Sequence, residues 1–157
     1  MDTYDRKIIL MLSKNSKCSY AQLADEVNLS QSACFRRVQH LQDTGVIVGF
    51  TIKLDPTALG NSVSAFAEVS VNRNKQTDVE EFKEVVRKSS HIISAHQLSG
   101  KTDFLLHIVA SDIASYTAFL EQSILPLAAV RDMSSSIVLS EVKSHTIQIL
   151  RNAHIQG

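Results

Sequence analysis

Apolar residues recur at helical spacing through the first fifty positions of the chain and at strand spacing after them. Tyr4, Ile8, Met11 and Leu12 fall at i, i+4, i+7 and i+8 and predict a first helix. The polar run Ser13–Ser19 interrupts it. Ser19 then opens a second helix with Leu23 and Val27 inward and Gln22, Asp25 and Glu26 outward. Asn28 suits the left-handed turn that ends such a helix, Leu29 folds back to the core, and Ser30 is placed to cap a third. In that third helix Cys34, Val38 and Leu41 form the apolar stripe, and Gly45 stops it. Residues 46–54, β-branched with Gly49 inside, predict a short strand pair or wing.

Asp55 and Pro56 break the pattern, and the stretch through Gly60 and Asn61 predicts a hinge. Beyond it Val63, Ala65, Ala67, Val69 and Val71 alternate with Phe66 and Glu68, a strand. Val79, Phe82 and Val86 against Glu80, Glu81, Lys83 and Glu84 predict an amphipathic helix. Strands follow over 92–99 and 104–110, joined by the turn Ser99–Asp103. A helix then carries Ile113, Tyr116, Thr117, Leu120 and Ile124, and a last strand runs from Met133 to Val142. The order β-α-β-β-α-β is that of a ferredoxin-like sandwich, giving an α+β fold class with a winged helix-turn-helix in front. Helices on one face leave the other face of the sheet for a second copy of the chain. The expected divisions are 1–52 for DNA binding, 53–61 for the hinge, 62–143 for ligand sensing and oligomerisation, and 144–157 for a tail.

Composition narrows the function classes. The 157 residues are 44% hydrophobic and 20% charged, a globular balance long enough for one ordinary domain or two small ones. No apolar run approaches a membrane span and the start lacks a signal-peptide layout, so the cytoplasm is the expected location. Cys18 and Cys34 make no CxxC and the six histidines are scattered, so no metal or redox site is expected. Net charge is zero, which argues against indiscriminate attraction to nucleic acid. Any DNA affinity must come from local placement and from many copies acting together.

The third helix supplies that placement. Gln31, Ser32, Phe35, Arg36, Arg37, Gln39 and His40 face outward, and no carboxylate interrupts them before Asp43. Surface helices ordinarily mix charge signs. A face of forked donors, amides and hydroxyls with one aromatic suits a groove walled by phosphates and floored by base edges.

The arrangement resembles the Lrp/AsnC, or feast/famine, regulators over about residues 2–143. Asp2, Asp5, Ile9 and Leu10 match the family's opening helix. Leu23, Ala24, Val27, Leu29, Ser30, Cys34, Arg37, Val38, Leu41, Gly45, Val46, Ile47, Gly49 and Phe50 match its recognition-helix pattern, and Gly100, Asp103 and Phe104 its G-x-x-D-[YF] turn. The resemblance implies a sequence-specific regulator of amino-acid metabolism, with Ser30, Gln31, Ser32, Phe35, Arg36, Arg37 and His40 at the DNA. Arg37 falls at the family's matching arginine, for a phosphate or base contact. Gln31 and Ala33 stand where the family often has prolines, which bears on operator choice. It also implies dimers through the C-terminal sheets, octamers or related rings, and a small amino-acid effector between dimers, in a prokaryotic, nucleoid-associated protein without another cofactor. Ser99, Gly100, Lys101, Thr102 and Asp103 lie where that effector is expected, with Ser134, Ser135 and Ser136 from a neighbouring subunit. The chemistry of the turn fits a zwitterion: Gly100 lets N–H groups approach a carboxylate, and Asp103 takes an ammonium.

Three alternatives stand beside this. The turn is a plain β-turn with Asp103 bonded to backbone. The protein is an effector-independent, DNA-bridging architectural protein of the same fold. Or it is an enzyme using Asp103 with His96 or His107, a reading that lacks a nucleophile and leaves the DNA-reading half unexplained.

Overall fold

The computed structural model describes residues 1–143, which form two compact units, Met1–Lys53 and Leu54–Val142. The tail expected over 144–157 lies outside the described residues.

The first unit is three capped helices. In α1 (Thr3–Lys14) the Asp2 carboxylate accepts the Asp5 N–H at 2.9 Å and the Asp5 carboxylate accepts the Asp2 N–H at 3.0 Å. Two donors that a helix start leaves without partners are thereby satisfied. Ser19 and Gln22 do the same for α2 (Tyr20–Val27). Asn28 ends α2 at φ 55°, ψ 49°, and its left-handed backbone lets the Leu29 N–H reach the Ala24 carbonyl at 3.1 Å. Ser30 Oγ then accepts the Ala33 N–H at 3.2 Å and starts α3 (Gln31–Asp43). Ile8, Leu23, Val27, Cys34, Val38 and Leu41 make the core of this unit. Cys34 is fully buried, and burial pushes its thiol up from the ordinary range, so it packs as an apolar residue.

Within the single chain the stretch expected as a wing makes no strand ladder. No residue of 46–54 belongs to a strand, although Val48, Phe50, Ile52 and Leu54 are all exposed. A β-branched composition favours strand conformation but cannot supply a ladder partner, and no two-residue turn folds this stretch back on itself.

The second unit is one antiparallel sheet of order β2-β3-β1-β4 under two helices. Its elements are β1 (Val63–Val71), α4 (Gln76–Lys88), β2 (Ile92–Gln97), β3 (Phe104–Ala110), α5 (Ile113–Phe119) and β4 (Val130–Ile137). A π turn, Leu120–Ile124, continues α5. Ala65, Ala67 and Val69 of β1 and Leu106 and Ile108 of β3 are completely buried beneath Phe82 of α4 and Ile124. Both helices cover this one face. On the other, Phe66 pairs with His107 in register, and their rings stack at 4.4 Å.

The last strand lies earlier than the sequence pattern suggests. It runs Val130–Ile137, not 133–142, because its ladder begins with Val130 opposite Val71, the last residue of β1, and runs to Ile137 opposite Ala65.

Candidate nucleic-acid interface and ligand cleft

The outward face of α3 carries Gln31, Ser32, Phe35, Arg36, Gln39 and His40, all exposed. Arg36 and His40, one turn apart, line a groove of about 400 Å³ with Leu29, Ala33, Asp5 and Arg37. This is a cationic, donor-rich ridge on a helix fixed at its start by the Ser30 cap.

Two residues expected at the DNA also hold the unit together. Arg37 Nη1 donates to Asp2 Oδ2 and to Asp5 Oδ1, each at 2.7 Å, and its guanidinium lies 5.3 Å from the Tyr4 ring centroid. The carboxylates of Asp5 and Asp2 hold the Arg37 charge on, pushing its pKa up. Asp2 in turn is held below the usual carboxylate range, first by the Asp5 N–H and then by Arg37. In the free chain, then, the guanidinium expected at a phosphate or base is engaged by the two carboxylates at the start of α1. Ser30 likewise serves as a helix cap. The joint role of Asp2 and Asp5 has a signal in the sequence, since an acidic pair three apart at a helix start is the spacing of a capping box.

The turn after β2 tells a similar story. Gly100 takes φ +154°, a conformation that side chains rarely adopt, and the space where its Cβ would stand is open. Its backbone conformation alone favours glycine here. Asp103 is buried. Its N–H donates to the Val69 carbonyl at 3.0 Å, and its Oδ2 accepts the Val71 N–H at 2.8 Å. The β1–β3 ladder stops at Val69, so this carboxylate takes over as acceptor for Val71. Asp103 Oδ1 accepts Arg73 Nε at 3.1 Å and pairs with Arg73 Nη2. The Val71 N–H, and after it Arg73, holds Asp103 below the usual carboxylate range.

A cleft of about 220 Å³ adjoins this pair. Arg73, Gln76, Lys83 and Gln97 give it polar walls beside Asp103, and Val71, Val79 and Phe104 give it an apolar side. Of the residues expected to bind an effector, only Asp103 lines it. Ser99, Gly100, Lys101 and Thr102 do not, and the serines divide between faces. Ser135 accepts the Tyr116 hydroxyl at 2.7 Å on the helix side. Ser134 and Ser136 pair in register with Glu68 and Phe66 on the opposite side. Alternation along a strand forbids the three from acting together within one subunit. Arg73, Gln76, Lys83 and Gln97 were not singled out from sequence, since only the sheet register brings the end of β1 to the turn before β3.

His107 Nε2 lies 2.7 Å from Ser64 Oγ, and burial lowers its pKa. It faces away from the helices and shares no contact with Asp103. Among the described residues no cluster of three or more His, Cys, Asp or Glu is placed to hold a metal ion, and no helix is long and apolar enough to cross a membrane.

Comparison with known proteins covers both units. Residues 64–148 match the family model of the Lrp/AsnC ligand binding domain, and residues 1–48 match that of a winged helix-turn-helix DNA-binding domain. The chain is 36% identical to the proline dehydrogenase transcriptional activator of Rhizobium radiobacter, over 91% of this chain and 92% of that one. It is 32% identical to the leucine-responsive regulatory protein of Escherichia coli, over 96% and 92%. A transcriptional regulator of Neisseria meningitidis, solved as a complex with L-Met, superposes with a TM-score of 0.88 at 33% identity, covering 94% of each chain. An AsnC family regulator of Agrobacterium tumefaciens gives 0.85 at 34% identity, covering 93% and 95%.

Proposed function

The chain belongs to the Lrp/AsnC family of DNA-binding transcriptional regulators, and from that membership we propose that a small α-amino acid bound beside Asp103 sets its hold on DNA. The observation that carries this reading is the Arg73–Asp103 ion pair at the 220 Å³ cleft. A zwitterion offers the same two charges. Its ammonium takes the Oδ1 of Asp103 that Arg73 now occupies, and its carboxylate takes Arg73 or Lys83. Arg73 is free to turn, since 69% of its side chain is exposed, whereas Asp103 is fixed by the Val71 N–H. The effector's side chain then rests against Val79 and Phe104.

On the DNA side, Gln31, Ser32, Phe35, Arg36 and His40 face the major groove, with Ser30 and Arg37 positioning the helix. The uncovered sheet face around Phe66 and His107 receives a second copy, and dimers join into octamers or related rings in the nucleoid of a prokaryotic cytoplasm. Several modules on one assembly give by avidity the affinity that a neutral chain lacks. Ser99, Lys101 and Thr102 in the turn, and Ser134 and Ser136 on the exposed face, reach an effector only from a neighbouring copy. Gel-shift titration of an operator fragment with and without each amino acid tests the effector. A shift in apparent affinity with one or a few of them is expected.

A second reading has its own support. Asp103 is already satisfied by Val71 and Arg73, as it would be in an architectural DNA-bridging protein that needs no effector. Identical titrations with all amino acids would favour it.

A further inference from the structure

Resting on the assignment of α3 to the major groove, we propose that Phe35 reads the C5-methyl group of a thymine and that Tyr20 holds it in place to do so. Phe35 is 49% exposed, while its neighbours on the core stripe, Cys34 and Val38, are 0% and 2% exposed. A helix turns about 100° per residue, so Phe35 has no route to that core. It sits at the centre of the acid-free face, one turn from Gln31 and one turn from Gln39, with Arg36 beside it.

Those neighbours supply amides and a guanidinium, which suit base-edge acceptors and phosphates. Phe35 has neither donor nor acceptor. In the major groove the apolar feature that distinguishes one base pair from another is the thymine methyl.

The ring is also held ready. Tyr20 meets it edge to face, with centroids 5.4 Å apart and planes at 71°. Tyr20 is the first residue of α2, inside the Ser19–Gln22 capping box, so its backbone is fixed. A pre-set aromatic loses little side-chain freedom on meeting its partner. Tyr20 is thus a positioning residue and Phe35 the one that touches the base.

The test uses the full chain and duplexes selected by it from a random pool. Each thymine of a selected site is replaced in turn by uracil, which deletes only the methyl. The unaltered protein is expected to lose about four-fold in affinity, the effect of one methyl-sized group, at one thymine of each half-site. Phe35→Ala is expected to bind thymine and uracil versions of that site equally, with an unchanged salt slope. Tyr20→Ala is expected to weaken binding to the thymine site more than to the uracil site, whereas a merely structural tyrosine would weaken both alike. A flat uracil scan with the unaltered protein, or a four-fold loss that persists in Phe35→Ala, overturns the proposal while leaving α3 at the DNA. A chain that binds no duplex at all overturns both.

Discussion

Arg37 on α3 and Asp5 on α1 are joined at 2.7 Å, and Asp5, 11% exposed at its side chain, also closes the capping box that begins α1. One carboxylate therefore helps start α1 and ties α3 to it.

Replacing Arg37 by Ala leaves Asp2 and Asp5 facing each other without a cation. A loss of about 1–2 kcal/mol is expected in urea unfolding of the first unit, near the low end for charged hydrogen bonds because the guanidinium is partly exposed. Lys at this position restores charge but not the geometry that reaches two carboxylates, so it recovers only part of the loss. A variant as stable as the original protein would release Arg37 from this role.

Arg36 and Arg37 are expected to differ in the salt dependence of DNA binding. Arg36→Ala is expected to lower the slope of log K against log salt by about one, as for a lost phosphate contact. Arg37→Ala is expected to weaken binding with the slope unchanged, since its effect passes through the helix. Equal slope changes would put both arginines at phosphates.

Much of this was legible in the chain. Asn28 and Ser30 were readable as a left-handed turn and a cap because both effects are local to two or three residues. The alternation of Val63 to Val71 likewise declared which face of β1 is buried. What escaped depended on distant partners. An arginine on a polar helix face looks the same whether it meets a phosphate or two carboxylates 32 and 35 positions away. Residues 46–54 have strand composition without a ladder partner, and β4 takes its start from the end of β1. The cleft beside Asp103 draws on residues 71–104, which only the register of the sheet assembles.

Asp103 anchors the end of β1, so Asp103→Ala leaves the buried Val71 N–H without its acceptor and is expected to cost about 1–3 kcal/mol. Asp103→Asn keeps that bond through its amide oxygen and costs less. The carboxyl is depressed in the folded state, so its stabilisation is present above the unfolded value near ~3.9 and fades as pH falls through the folded value. Acid titration of unfolding is expected to be steeper below about pH 4 for the original protein than for Asp103→Asn. Parallel profiles would contradict this role.

Arg73→Gln leaves Asp103 on Val71 but removes the cation that a carboxylate would meet. It is expected to leave DNA affinity unchanged without effector and to weaken the effector response at least ten-fold, the loss of about 1.4 kcal/mol from a charge-assisted contact. A full response in this variant, read by gel shift, would move the effector elsewhere.

The most direct test of an effector beside Asp103 is thermal unfolding of the full chain with each of the twenty amino acids, repeated for Arg73→Gln. A ligand held only by the folded state adds about 2.7 kcal/mol at a hundred times its dissociation constant. The predicted result is a raised melting temperature with one or a few amino acids, lost or much reduced in Arg73→Gln. Twenty unshifted melts, or a shift that Arg73→Gln retains in full, would contradict it.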